Sequence, residues 1–441
     1  FYDEYRQELP TPTPADPFVL TDDQLIHFIR SRPAKRAGGL DGWTTREAKE
    51  LPDDILRLYA RVLRAMQRTG IIPEPLLHVP NPCLRKGRGE LPTDQRLLSV
   101  LSVWMYAWEA PAYRSLTTWR RGWTHATSFG AVPKATIGDV STALALRIEH
   151  ARALALPLAG AALDRQKCFD YLITDICLRL ALHAGCPEDI VRVRRNFYQH
   201  HKRYIRMNGA YSRQLVRTNG HLQGSSWSLD DIKLLMCVWT KRQHRYVPRS
   251  LSTTFVDDSN STATTAGDLQ RSLDATTTFD KLSGQIIHPG KVAGWAVSTE
   301  LHQEVTQLTL NDRPLRVQDH IKLVGSYINV EAAPATTALN LTDTADARVA
   351  RARARLTRAL HPSPERRPLA ALALAVAPAA AVGHRVAAPE QFPADVVPVD
   401  GVADPVSAAD RGRASEEVAL FELAKGGSGS LVHGAGQARR A

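Results

Sequence analysis

Two places in the sequence set carboxylates behind short apolar or β-branched runs. In LPLAGAALDRQKCFDYL the run 156–163 ends on Asp164, and in LSTTFVDDSN the run 251–256 ends on Asp257 and Asp258. A carboxylate at the end of a buried strand is costly unless it is hydrogen-bonded, exposed or neutralised by a cation. Hard divalent ions are one such neutraliser. Magnesium takes oxygen ligands, few of them from protein, and two such ions about 4 Å apart clamp the attacking and leaving oxygens of phosphoryl transfer. The same residues also read as ordinary structure, with Asp164 a turn residue, Asp170 a helix cap and Asp257-Asp258 a hairpin turn. Asp-Asp recurs at Asp22-Asp23, Asp53-Asp54 and Asp230-Asp231, so the dipeptide alone does not choose between the two.

The elements that would position these residues follow from periodicity. Leu51, Ile55, Leu58, Val62, Leu63 and Met66 recur at helical spacing, which predicts one helix over 47–70 stopped by Gly70. An aromatic helix is expected over 103–119 and another over 138–154. The run 156–163 reads as a buried strand, and two helices follow, split by Gly185-Cys186-Pro187. RYIRMNGAYSRQLVR reads as a hairpin turning at Asn208-Gly209, and further strands are expected at 251–256 and 292–297. After about residue 331 Ala, Arg and Pro dominate. An Arg-studded helix is expected over 331–361 and a disordered low-complexity tail over 362–441.

Fifty-six Lys and Arg against 45 Asp and Glu give a formal net charge of +11 at pH 7, a balance that favours polyanionic partners. Arg192, Arg194, Arg195, Lys202, Arg203 and Arg206 interleave with Phe197, Tyr198 and Tyr204. Such a patch would follow a nucleic-acid backbone through counterion release, a solvated helix face being the alternative. The five cysteines show no CxxC pair, which supports neither a zinc site nor a disulfide framework. The run 369–382 is short for a membrane span and contains Pro378, and no secretory signal is visible. The expectation is an intracellular protein with no membrane segment.

Seven words stand in order along residues 37–330: GLDGWTTREAKELP, QRLLSVLS, ALDRQKCFDYL, NGHLQGSSWS, TTFVDDSN, LSGQIIHPGK and IKLVGSYI. The series resembles the reverse transcriptase domain of non-LTR retrotransposons. The resemblance implies an α+β right-hand polymerase, with an antiparallel palm sheet flanked by helices and a helical thumb remnant. Its parts would be a lead-in segment at 1–36, fingers with part of the palm at 37–155, and the palm at 156–330. Asp164 and Asp257 would hold two magnesium ions, manganese being a possible substitute, with the carbonyl of Arg165 assisting and Asp258 a peripheral third carboxylate. Phe169 would lie under the sugar and exclude a 2′-hydroxyl, or else be a core residue.

Gln223 and Gly224 match the QG word that meets nucleotide and template. Arg96, Lys86 and Lys291 match basic residues near the triphosphate. Among the basic patch, Arg192, Arg195, Lys202 and Arg203 would touch nucleic acid. The implied partners are an RNA template, a DNA primer and dNTPs. Leu40 and Leu97 stand where the family has Pro, and Ser226-Trp227 replaces Ser-Pro after QG, which would set a bulky ring near the nucleotide. The alternative is a catalytically inactive, nucleic-acid-binding remnant of the same fold.

Overall fold

The computed structural model describes residues 1–85, 95–133, 135–207, 209–215 and 219–330. The expected helix at 331–361, the tail and Lys86 lie outside the described residues. The chain divides into two compact units, the first of Phe1–Leu84 with Leu97–Thr337 and the second holding Arg85–Arg96. Of the described residues, Arg85, Gln95 and Arg96 belong to the second. The architecture is mixed α+β, with twelve α-helices and several small sheets among the described residues. No helix among them is long and apolar enough to cross a membrane.

In chain order the elements are α1 (Asp22–Ser31), α2 (Thr45–Glu50), α3 (Asp53–Thr69), β1 (His78–Arg85), β2 (Gln95–Leu97), α4 (Val103–Ser115), α5 (Thr117–Trp123) and α6 (Ile137–Ala153). There follow β3 (Ala159–Leu163), α7 (Cys168–Tyr171), α8 (Thr174–His183), α9 (Glu188–His200), β4 (Lys202–Met207), β5 (Ala210–Tyr211) and α10 (Trp227–Tyr246). The last are β6 (Leu251–Phe255), β7 (Asp258–Ala263), α11 (Ala266–Ser283), β8 (Ala293–Ala296), α12 (Thr299–Val305), β9 (Thr309–Leu310), β10 (Arg313–Pro314), β11 (His320–Leu323) and β12 (Ser326–Asn329).

The single helix expected over 47–70 is two, α2 and α3. Leu51 is extended (ψ 137°) ahead of Pro52, because a residue preceding proline is driven out of the α region. The stop at Gly70 is as expected, a left-handed residue at φ 76°. The aromatic helix also breaks, at Leu116, into α4 and α5. Capping boxes of Thr21 with Gln24 and Thr136 with Asp139 fix the starts of α1 and α6.

The main sheet is antiparallel, in the order β6-β7-β3-β8. On one face, buried Ser252 and Ser261 join Ser272 of α11 in a hydroxyl chain, Ser261 to Ser272 being 2.7 Å. The other face carries an apolar cluster of Val140, Leu144 and Ile148 from α6 with Trp295, Ile321, Leu323 and Ile328. Gly160 makes this packing possible, since a Cβ there would meet the Trp295 ring at 2.4 Å. A second sheet pairs β1 in parallel with β4, which turns back antiparallel into β5 as the Asn-Gly hairpin signal predicts.

The lead-in residues are built into the core. Tyr5 is fully buried against Phe1 and Phe279, and Glu8 pairs with Arg242 and Arg245 of α10 at 3.2 and 3.0 Å.

Candidate functional site

Strand register brings the three expected carboxylates to one end of the main sheet. Leu163 of β3 pairs with Ser259 of β7, and Asp164 is the next residue. Phe255 pairs with Asp258 across a two-residue turn made of Val256 and Asp257. Val256 holds φ 59°, a left-handed value that a β-branched side chain adopts only under strain. The strain is held from outside the hairpin. Residues 127–129 run beside β6, with Phe129 N–H on the Thr254 carbonyl at 2.9 Å and Thr254 N–H on that of Thr127 at 3.1 Å. Gly130 then passes so close to the turn that a Cβ would sit 2.3 Å from the Val256 nitrogen. Sequence reasoning missed Gly130; its lone glycine in TSFGAVP was the available signal.

All three carboxylates are half-buried. Lys291 reaches Asp164 with Nζ 2.7 Å from Oδ2, and the Asp164 carbonyl accepts the His288 N–H at 2.9 Å. Asp164 therefore has a cation beside it, which is what a carboxylate at a strand end requires. Among the described residues no group of three or more His, Cys, Asp or Glu converges as a metal cage. Carboxylate oxygens are nonetheless the donors a magnesium ion takes, and Lys291 marks where one positive charge is already satisfied.

Arg165 turns its side chain the other way and is 1% exposed. It meets Asp280 of α11 at 3.1 Å and Ser259 Oγ at 2.9 Å, tying β3, β7 and α11 together directly behind the carboxylates. Burial raises the Asp280 carboxyl above its usual range, with Arg165 pulling against it. Asp170 does not cap α7. It lies inside that helix, whose N-cap is Lys167 without a side-chain cap bond, because the turn after the strand starts the helix three residues earlier.

A second turn lies at Gln223-Gly224. The Gln223 carbonyl accepts the Ser99 N–H at 2.7 Å, and Gly224 has φ 140° with the Ser99 carbonyl where a Cβ would be. Only glycine fits that approach. One step earlier His221 N–H donates to the Phe169 carbonyl at 2.6 Å. Phe169 itself is 9% exposed, which is the core alternative for its ring.

The charged support under this turn was not anticipated. Asp231 of α10 is fully buried between Arg194 of α9 and His221, whose Nδ1 is 2.7 Å from Oδ2. Burial alone would raise Asp231, yet Arg194 and His221 outweigh it and hold the carboxyl below the usual range. From α4, Glu109 accepts from Ser225 Oγ at 2.9 Å and from the Ser226 N–H. Burial pushes Glu109 up to about 7 against those bonds. Its lone charge in VWMYAWEAPA was the sequence signal. Trp227 is 2% exposed, under the Arg194 guanidinium and edge-on to Tyr113.

The basic residues do not form one solvated face. Arg194 points into the core. Arg192 is half-buried on the Arg68 carbonyl at 3.1 Å, and Lys202 is paired with Glu74. Arg203 is half-buried, with desolvation drawing its guanidinium below the usual range, and Arg195 is half-buried on α9. Arg96 lies half-buried on β2, in the second unit.

Comparison with known proteins adds no relative: no protein-family model matches the chain, and no curated protein matches it.

Proposed function

We propose that this chain is an RNA-directed DNA polymerase of the kind carried by non-LTR retrotransposons. The observation that carries the reading is the meeting, at one end of one antiparallel sheet, of Asp164 with the Asp257-Asp258 hairpin. Further support is that words far apart in sequence touch in the expected company. Asp41 of GLDGW accepts from Ser102 Oγ at 2.6 Å, Ser99 of QRLLS meets Gln223, and Phe169 meets His221.

In this reading Asp164 and Asp257 would hold magnesium, with Asp258 outside them, and the bound ions would neutralise charge on the reacting phosphate oxygens. The chain's own groups do the rest. Arg165 and Gly130 fix the two strand ends that bear the carboxylates. The Gln223-Gly224 backbone lies against the nucleotide, and Lys291 exchanges Asp164 for a phosphate oxygen when the nucleotide enters. Phe169 excludes the 2′-hydroxyl if its ring leaves the core on nucleotide binding.

Primer extension on poly-rA/oligo-dT with magnesium tests the reading. The wild-type chain extends the primer, and Asp257→Ala, altering a half-exposed turn residue, does not. A second reading, a nucleic-acid-binding remnant without chemistry, is favoured by one observation, the Lys291 ammonium on Asp164. It is selected if neither chain extends the primer while both bind RNA equally.

A further inference from the structure

Beside the edge strand β6 lies a pocket of about 240 Å³ between α5, the 124–133 loop and α10. Arg120, Arg121 and Lys233 line it with the hydroxyls of Thr117, Thr124 and Ser128, and no Asp or Glu among the described residues does. Arg120 is already spent: it is 3.6 Å from Asp230 Oδ2, 2.9 Å from Thr117 Oγ1, and lies over the Tyr113 ring. Lys233 is not. It is 3% exposed, its Nζ donates to the Ala131 carbonyl at 3.1 Å, and it stands 5.3 Å from the centre of the Trp123 ring. No carboxylate among the described residues comes within ion-pair distance of it.

An ammonium has three donors, and burying one with a single carbonyl and a ring face leaves most of its desolvation unrecovered. The nearest acid on its own helix, Asp230, is held by Arg120. Burial draws the Lys233 ammonium below the usual lysine range, with Asp230 only partly opposing it. Arg121, at the mouth, is exposed.

We infer that the pocket binds an oxyanion, a phosphate group, with Lys233 at its floor, Arg121 at its mouth and the Ser128 hydroxyl, which accepts from Thr254 and keeps its own proton, as a further donor. Its size suits inorganic phosphate or one phosphoester rather than a dinucleotide. None of its residues is a carboxylate of the polymerase reading, so the site is tested apart from that reading, although Ser128 stands in the 127–129 segment beside β6.

Thermal unfolding in inorganic phosphate, against chloride at equal ionic strength, is the test. Wild-type Tm rises in phosphate by about 3–5 °C at a hundredfold excess over Kd. Arg121→Ala, at an exposed position, weakens phosphate about tenfold, the loss of one charge-assisted bond, and Lys233→Met abolishes the response. Should Lys233→Met not fold, the Arg121→Ala titration decides alone. A wild-type Tm no higher in phosphate than in chloride overturns the inference, as does an equal rise in both variants. Displacement of phosphate by a single-stranded oligonucleotide assigns the group to a strand, and displacement by a mononucleotide alone assigns it to a free phosphoester.

Discussion

The turn at Val256-Asp257 and the turn at Gln223-Gly224 are held in place by opposite means. Behind the first stand backbone pairing, a chain of serine hydroxyls and the close pass of Gly130, with Arg165-Asp280 a buried ion pair at its strand ends. Behind the second stand buried charges: Arg194 and His221 on Asp231, and Glu109 on Ser225 and Ser226. Steric support depends on what atoms are absent, and charge support on which protons are present. The first turn is therefore sensitive to added volume and the second to pH and to loss of charge.

The sharpest way to break that comparison is to neutralise one acid under each turn. Asp231→Asn leaves Arg194 buried without its carboxylate and His221 without its acceptor, at a cost of about 3–5 kcal/mol. Asp280→Asn removes a carboxyl that burial already raises, and the amide oxygen still faces the Arg165 Nε, so its cost should be at least about 2 kcal/mol smaller. Urea unfolding of the two variants measures the difference. Equal losses would mean that charge matters no more under one turn than under the other.

Glu109 gives the pH dependence. Its folded value is raised to about 7 from 4.5, so between those limits the unfolded chain releases a proton that the folded chain keeps. Its contribution is full below about pH 4.5 and is lost as pH rises through 7, a fall on the order of 3 kcal/mol. Glu109→Gln has no proton to lose. The stability of wild type relative to this variant should therefore decline from pH 4.5 to 7 and then level off. A flat difference across that range would remove Glu109 from the supports of the second turn.

How much of this was legible in the sequence divides along the same line. The strands bearing Asp164 and Asp257, the Asn-Gly hairpin and the Gly70 stop were readable, because a short apolar run, β-branching and glycine act locally. The break at Pro52 was readable too, and the hydrophobic period of 47–70 masked it, since Leu51, the extended residue after α2, falls in step with the apolar positions of α3. Arg194 could not be assigned from sequence, because on α9 it stands among arginines of the same spacing and only Asp231, 37 residues away, draws it inward. Gly130 was missed for a like reason: its partner is a strained residue in a distant hairpin.

Gly130→Ala probes the steric side directly. The added methyl meets backbone at 2.3 Å rather than a flexible side-chain end, so the turn or residues 127–130 must shift. Overpacking of that kind costs about 1–3 kcal/mol. Gly267→Ala is the control, a helical glycine on α11 with nothing within 4 Å of its added Cβ, and it should stabilise by up to about 1 kcal/mol. Melting temperatures that fall for the first and hold or rise for the second support the steric account. Two equal, small shifts would show that the hairpin does not lean on Gly130.

The smallest effect on stability, and the one closest to the chemistry, is at Lys291. Its pair with Asp164 is 44% and 27% exposed, so Lys291→Met should cost less than about 1 kcal/mol, and less still in high salt. A role in catalysis would be visible elsewhere. If the ammonium leaves Asp164 for a nucleotide phosphate, the variant has a higher KM for dNTP by about tenfold, the worth of one charge-assisted bond, while its fold is unchanged. If Lys291 serves only to neutralise Asp164, removing it frees the carboxylate, and half-maximal extension needs less magnesium with KM for dNTP unaltered. Measuring both parameters on the one variant separates a lysine that serves the substrate from one that substitutes for a metal.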